Sequence, residues 1–230
     1  MKKRILCYGD SNTYGYVPAG NGRRYSENVR WPAKLVRLLG KDYTVIEEGL
    51  PGRTADLCEE FPWKEGYSYL YAALSTHRPI DMAVIMLGTN DTKKSFQRDA
   101  RAIAETVSSI VEDTRNFLME KQGYSPEILL VSPPPLDPAV CRGAFAGDFD
   151  SRSVQVSLQL KEAYQDIAEK TGCLFLDAGE YASVSKKDGV HMEPEGHLKL
   201  AAGIYQVMSE WYAEHPSDTD EKHLAMIEEK

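Results

Sequence analysis

The stretch RILCYGDSNTYGY, residues 4–16, runs from Ile5-Leu6-Cys7-Tyr8 straight into Gly9-Asp10-Ser11-Asn12. A short apolar run bounded by turn residues predicts a strand. A strand that only had to turn could do so with one glycine and any polar neighbour. Asp, Ser and Asn gathered at its carboxyl end bring a possible nucleophile and two hydrogen-bonding groups to one point.

Similar runs recur along the chain: YTVIEEG at 43–49, DMAVIML at 81–87, EILLVS at 127–132 and CLFLDA at 173–178. The runs AVIML and ILLV are continuous rather than alternating, as expected of strands buried on both faces. Helical spacing fills the intervals. Trp31, Leu35, Leu38 and Leu39 share one face, and so do Ile103, Val107, Ile110 and Val111, with Phe117 and Leu118 beyond. Leu158, Ala163, Ile167 and Ala168 form a third set, and Leu198, Ala201, Ile204, Tyr205 and Val207 a fourth. Five strands alternating with helices predict an α/β fold with a parallel sheet covered on both sides.

Composition agrees with a globular chain of one-domain size. The 230 residues are 42% apolar and 27% charged, enough for one domain with a sizeable core. That domain is expected over 1–215, with 216–230 a polar tail or short helix. A net charge of −8 argues against nucleic-acid partners, which call for a basic stripe. Cys7, Cys58, Cys141 and Cys173 are scattered without a C-x-x-C pair, and Cys7 and Cys173 read as small buried hydrophobes. The apolar run before Gly9 is too short for a signal peptide or a membrane span, which need roughly 7–15 and about 20 residues. A cytoplasmic protein with no membrane partner is the expectation.

Ligands of open parallel sheets sit outside the carboxyl ends of the strands. The loops to inspect are therefore Gly9–Asn12, Glu47–Thr54, Leu87–Asp91 and Lys187–His197. A serine hydroxyl needs a base to become a nucleophile. Histidine serves near neutrality, and a third group must hold its tautomer. Asp188-Gly189-Val190-His191 supplies acid and base three residues apart, with a glycine for the tight turn. Ser11 is then a candidate nucleophile, with His191 a candidate base and Asp188 a candidate orienter. Candidate donors for the developing oxyanion are the backbone N–H groups of Ser11 and Gly52 and the side-chain amide of Asn90. Asp10 is expected to hold loop N–H groups rather than to react. His197 is expected at a helix start, and Thr89 is a candidate for the pocket wall. Arg23, Arg24, Arg30 and Arg53 are expected to be solvated, and RGAFAGDFD at 142–150 to form a pocket wall or a subunit contact.

The set Gly9-Asp10-Ser11, Gly52, Gly88-Thr89-Asn90-Asp91 and Asp188-x-x-His191 resembles the SGNH (GDSL-like) hydrolase family, in the family's order and over nearly the whole chain. RILCYGDSNTYGYVP, VRW, VIEEGLPGRT, IMLGTNDTK and VSPPPL look like its bacterial aryl esterase and acyltransferase subgroup. The resemblance implies a three-layer α/β/α sandwich and ester hydrolysis by a Ser-His-Asp triad without metal or organic cofactor. It implies an oxyanion hole of Ser11, Gly52 and Asn90, an aromatic acyl-pocket wall at Tyr16, and a homo-oligomer. Asn12 departs from the common motif, which has leucine there, so Asn12 is placed with Tyr16 and Thr89 among residues that set substrate preference. The expected activity is hydrolysis of short aryl or acetyl esters, with transfer to added alcohols where these compete with water. The rivals are deacetylation of carbohydrates on the same fold and, from another class, a flavodoxin-like binding module.

Overall fold

The computed structural model describes residues 2–55 and 62–215. The expectations for Cys58 and 216–230 fall outside these residues. The five strands are β1 (Lys3–Gly9), β2 (Tyr43–Gly49), β3 (Met82–Met86), β4 (Glu127–Ser132) and β5 (Leu174–Asp177). All pair in parallel in the order β2-β1-β3-β4-β5, with Ile5 beside Val45 on one side and Met82 on the other. The helices are α1 (Ser11–Tyr14), α2 (Trp31–Leu39), α3 (Gly66–His77), α4 (Ala100–Gln122), α5 (Ser151–Thr171) and α6 (Pro194–Glu214).

Side chains alternate across the sheet and build two cores. Leu6, Tyr8, Ala83, Ile85, Ile128 and Leu130 face α3, α4 and α5, through residues such as Leu74, Val107 and Leu160. Ile5, Cys7, Val84, Met86, Leu129 and Val131 face α2 and α6, through Trp31, Leu35, Leu200 and Ile204. The result is a three-layer α/β/α sandwich. Polar starts and left-handed stops bound the long helices. Asp99 accepts from Ala102 N at 2.8 Å ahead of α4, Asp150 and Ser153 form a reciprocal cap on α5, and Gly123 and Gly172 close the two helices.

Three of the expected helix faces need correction. Leu38, Leu158, Leu198 and Tyr205 are exposed. Leu38 stands in the last turn of α2. The buried stripe of α5 runs through Val156, Leu160, Tyr164 and Ile167, and that of α6 through His197, Leu200, Ala201, Ile204 and Met208. Leu158 and Leu198 fall off those stripes by helical geometry. Among the described residues, no helix is long and apolar enough to cross a membrane.

From β1 the chain moves outward to the edge strand β2, and then returns past β1 to the central strand β3. That reversal opens a crevice at the carboxyl ends of β1 and β3, the place where a doubly wound sheet takes its ligand.

Candidate active site

β1 delivers Ser11 to this crevice. Asp10 caps α1 by accepting from Asn12 N at 2.9 Å, so the strand passes at once into a helical turn with Ser11 as its first residue. The N–H of a first helical residue has no partner within its helix, and it stays free to face a ligand. Asp10 is buried, as a loop-holding acid should be. Burial raises its pKa to about 6, against the Asn12 N–H that favours the anion. Its Oδ2 has no partner of hydrogen-bond geometry among the described residues, the Thr89 hydroxyl favouring the anion from outside that geometry.

The loop ahead of α6 brings the imidazole. Asp188 Oδ1 accepts from Val190 N and His191 N, both at 3.0 Å, and Oδ2 accepts from His191 Nδ1 and Ala19 N, both at 2.9 Å. Gly189 sits at φ +76°, and a Cβ there would stand 2.4 Å from Val140 N, so the turn between acid and base requires glycine. Burial alone would push the Asp188 pKa up. The hydrogen bond and charge of His191, with the two backbone N–H groups, outweigh it and bring the pKa down to about 2. A carboxylate acceptor fixes the proton on Nδ1 and leaves the lone pair on Nε2, which lies 3.0 Å from Ser11 Oγ. Tyr16 stacks on the imidazole with centroids 4.2 Å apart and planes 23° apart, and Phe145 meets it edge-on at 5.5 Å. His197 lies in the first turn of α6, as expected; burial lowers its pKa to about 4 and keeps it neutral.

The far side of the crevice comes from the loops after β2 and β3. Gly52 has φ +83°, a conformation that turns its backbone toward the cavity at no steric cost. Asn90 Nδ2 donates to Arg53 O at 3.0 Å, which orients the amide and leaves its second N–H. Asp91 accepts Ala55 N on both oxygens, at 3.0 and 2.9 Å. The loops carrying Gly52 and Asn90 are thereby sewn together. A cavity of about 210 Å³ is lined by Ser11, Tyr16, Gly52, Asn90, Phe145 and His191, with Lys64 and Lys93 also on its wall.

Ser11, Asp188, His191, Gly52, Asn90 and Tyr16 therefore meet at one place, and Phe145, Asp148 and Phe149 of the 142–150 segment complete the wall. Two of the expected pocket residues do not line this cavity. Thr89 is buried beside Asp10, and Asn12 spends its side chain on Val190 O and Met192 N. Arg53 is not solvated but buried. It lies 4.3 Å over the Tyr8 ring and donates to Gly9 O at 3.0 Å and to Glu48 O, closing the ends of β1 and β2. Arg30 pairs with Glu47 at 2.7 Å. Lys64 carries no sequence signal, and Lys93, the last residue of IMLGTNDTK, takes no role from that stretch.

Solved structures resemble this chain closely. The native aryl esterase of M. smegmatis is 36% identical, covers 90% of this chain and 99% of its own, and superposes with a TM-score of 0.84. Est24, a carbohydrate acetylesterase from Sinorhizobium meliloti, is 32% identical over 91% of this chain and 100% of its own, at 0.82. A second carbohydrate acetylesterase family member from Sinorhizobium meliloti is 36% identical over 90% and 97%, at 0.83. Among curated proteins no sequence matches. The family model described as GDSL-like Lipase/Acylhydrolase matches residues 7–199, a span that holds every residue of the crevice just described. The chain belongs to the GDSL-like lipase/acylhydrolase family.

Proposed function

We propose that this chain is a serine esterase that hydrolyses short-chain carboxylic esters through an acyl-enzyme. The observation that carries the reading is the relay of Ser11 Oγ to His191 Nε2 at 3.0 Å and His191 Nδ1 to Asp188 at 2.9 Å, opening on a cavity that also holds Gly52 and Asn90. Ser11 Oγ attacks the ester carbonyl while His191 takes its proton. Asp188 steadies the imidazolium without itself becoming protonated. The carbonyl oxygen gains charge and is met by N–H groups of Ser11, Gly52 and Asn90, set in advance where that charge develops. His191 then returns the proton to the departing alcohol, and water releases the acid by the same steps in reverse.

A cavity of about 210 Å³ is below the roughly 300–1,000 Å³ of pockets for drug-sized ligands, which supports acetyl and other short acyl groups. Tyr16 and Phe145 give it two aromatic walls, suited to an apolar acyl or aryl group. An alcohol admitted beside those rings competes with water for the acyl-enzyme. The similarity to Est24 supports a second reading, in which the ester is an acetylated carbohydrate. The aryl esterase resemblance extends the proposal to a homo-oligomer acting on small-molecule esters.

The test is hydrolysis of p-nitrophenyl esters of increasing acyl length, and of acetylated oligosaccharides, by wild type, Ser11→Ala and His191→Ala, with and without an added alcohol. Each substitution lowers kcat by at least roughly 10⁴-fold, and fluorophosphonate labelling is lost with Ser11. Wild-type rates in Ser11→Ala refute the reading. The better of aryl acetate and sugar acetate decides the substrate class, and ester product in the presence of alcohol reports transfer.

A further inference from the structure

We propose that Asn12 is a positioning residue for the base: by bonding the backbone on both sides of His191, it holds the imidazole against Ser11. The inference rests on Ser11 and His191 serving as nucleophile and base.

Asn12 follows Ser11 in α1 and is buried. Its Nδ2 donates to Val190 O at 3.1 Å, and its Oδ1 accepts from Met192 N at 3.1 Å. A carbonyl can only accept and a backbone N–H can only donate, so the amide has one orientation at this site. The two bonds land on residues 190 and 192 and bracket His191 between them. Asp188 also holds this loop, but its contacts to Val190 N and His191 N lie within the loop and would travel with it. Asn12 instead ties the loop to the residue beside the nucleophile. Its own N–H is held by Asp10, so Ser11 Oγ and His191 Nε2 are placed from one frame. A leucine at this position would fill the space and supply neither bond, leaving a buried carbonyl and a buried N–H without their partner.

The test uses Asn12→Ala and Asn12→Leu, each also combined with His191→Ala, and assays p-nitrophenyl acetate hydrolysis and fluorophosphonate labelling of Ser11. The expected result is a fall in kcat of about 10–100-fold with KM little changed, an equal fall in labelling rate, and an unchanged circular dichroism spectrum. In the His191→Ala background the Asn12 substitution should cost nothing more, because it acts through a ring no longer present. A residue that merely supports the fold would lower both backgrounds alike. Wild-type kcat in a folded Asn12 variant, an equal further loss on top of His191→Ala, or failure of both variants to fold overturns the assignment. If Ser11→Ala remains active, the proposed function itself has failed; if it is inactive while Asn12→Ala is normal, only the positioning role has.

Discussion

Asp188 and Asp10 lie within one site and both are shut off from solvent, at 0% and 1% exposure, with Asp10 the more deeply enclosed, and they ionise in opposite directions. In the loop of 185–192, Asp188 is met by three backbone N–H groups and an imidazole N–H and falls to about 2. In the floor formed by Asp10 and Gly88–Asp91, Asp10 has an oxygen without a hydrogen-bond partner among the described residues and rises to about 6. Asp91 beside it rises to about 7, from burial first and with the charge of Asp10 adding to it. Solvent exposure alone does not decide whether a carboxylate carries charge. Depth and the donors aimed at the group act together, because each donor favours the anion that desolvation opposes. The loop thereby sets an ionised carboxylate against the His191 ring, while the floor holds backbone.

The most severe way to break this contrast is Asp188→Asn, which keeps the shape and removes the charge. The amide cannot serve both as acceptor for Nδ1–H and as the counter-charge of an imidazolium, so kcat for p-nitrophenyl acetate should fall by about 10⁴-fold. A loss under tenfold would mean that the loop's charge is not used. On the floor, Asn90→Ala removes a donor but no charge, and kcat should fall by roughly 10²–10³-fold; an effect confined to KM would remove Asn90 from the oxyanion hole.

The mildest test reads stability rather than rate. Asp188, depressed below its unfolded value, contributes stability that is present above an unfolded pKa near 3.8 and is lost as pH falls through about 2. Asp91, raised to about 7, does the reverse. The folded state binds its proton more tightly, so stability declines as pH rises from the unfolded pKa of 3.8 towards 7. Asp91→Asn mimics the neutral acid and should raise the thermal midpoint relative to wild type at pH 8 while leaving it nearly level at pH 3.5. A lower midpoint at pH 8 would show that the anion on Asp91 is favourable in the folded chain.

The strands were legible because a strand buried on both faces is a continuous apolar run, which no competing helix pattern obscured. The helix faces were less so. Apolar residues also occur off the stripe, as at Leu158 and Leu198, and periodicity over a few residues does not say which of two adjacent apolar positions points inward. Ser11, Asp188 and His191 were legible because each sits where a strand's carboxyl end or a short Gly-containing turn constrains it locally. Arg53 and Asn12 were not. Arg53 reads as a surface cation until Tyr8 and two carbonyls are found around it, and Asn12 reads as a pocket residue until Val190 and Met192 arrive from 178 and 180 positions away. Partnerships at such range leave no local pattern.

The same long reach has a consequence in time. The segment near Ser11 supplies the hydroxyl, the Asn12 bonds, the Tyr16 ring over the imidazole and the Ala19 N–H on Asp188, and every partner lies about 170–180 residues downstream. At roughly 5–20 residues per second, a ribosome needs roughly 10–40 s after making Ser11 to deliver them. Closure of such distant contacts is a late event in folding. The joined site should therefore arrive abruptly and last, so that a nascent or truncated chain ending before residue 191 already carries Ser11 yet lacks the imidazole and should leave the esters around it untouched.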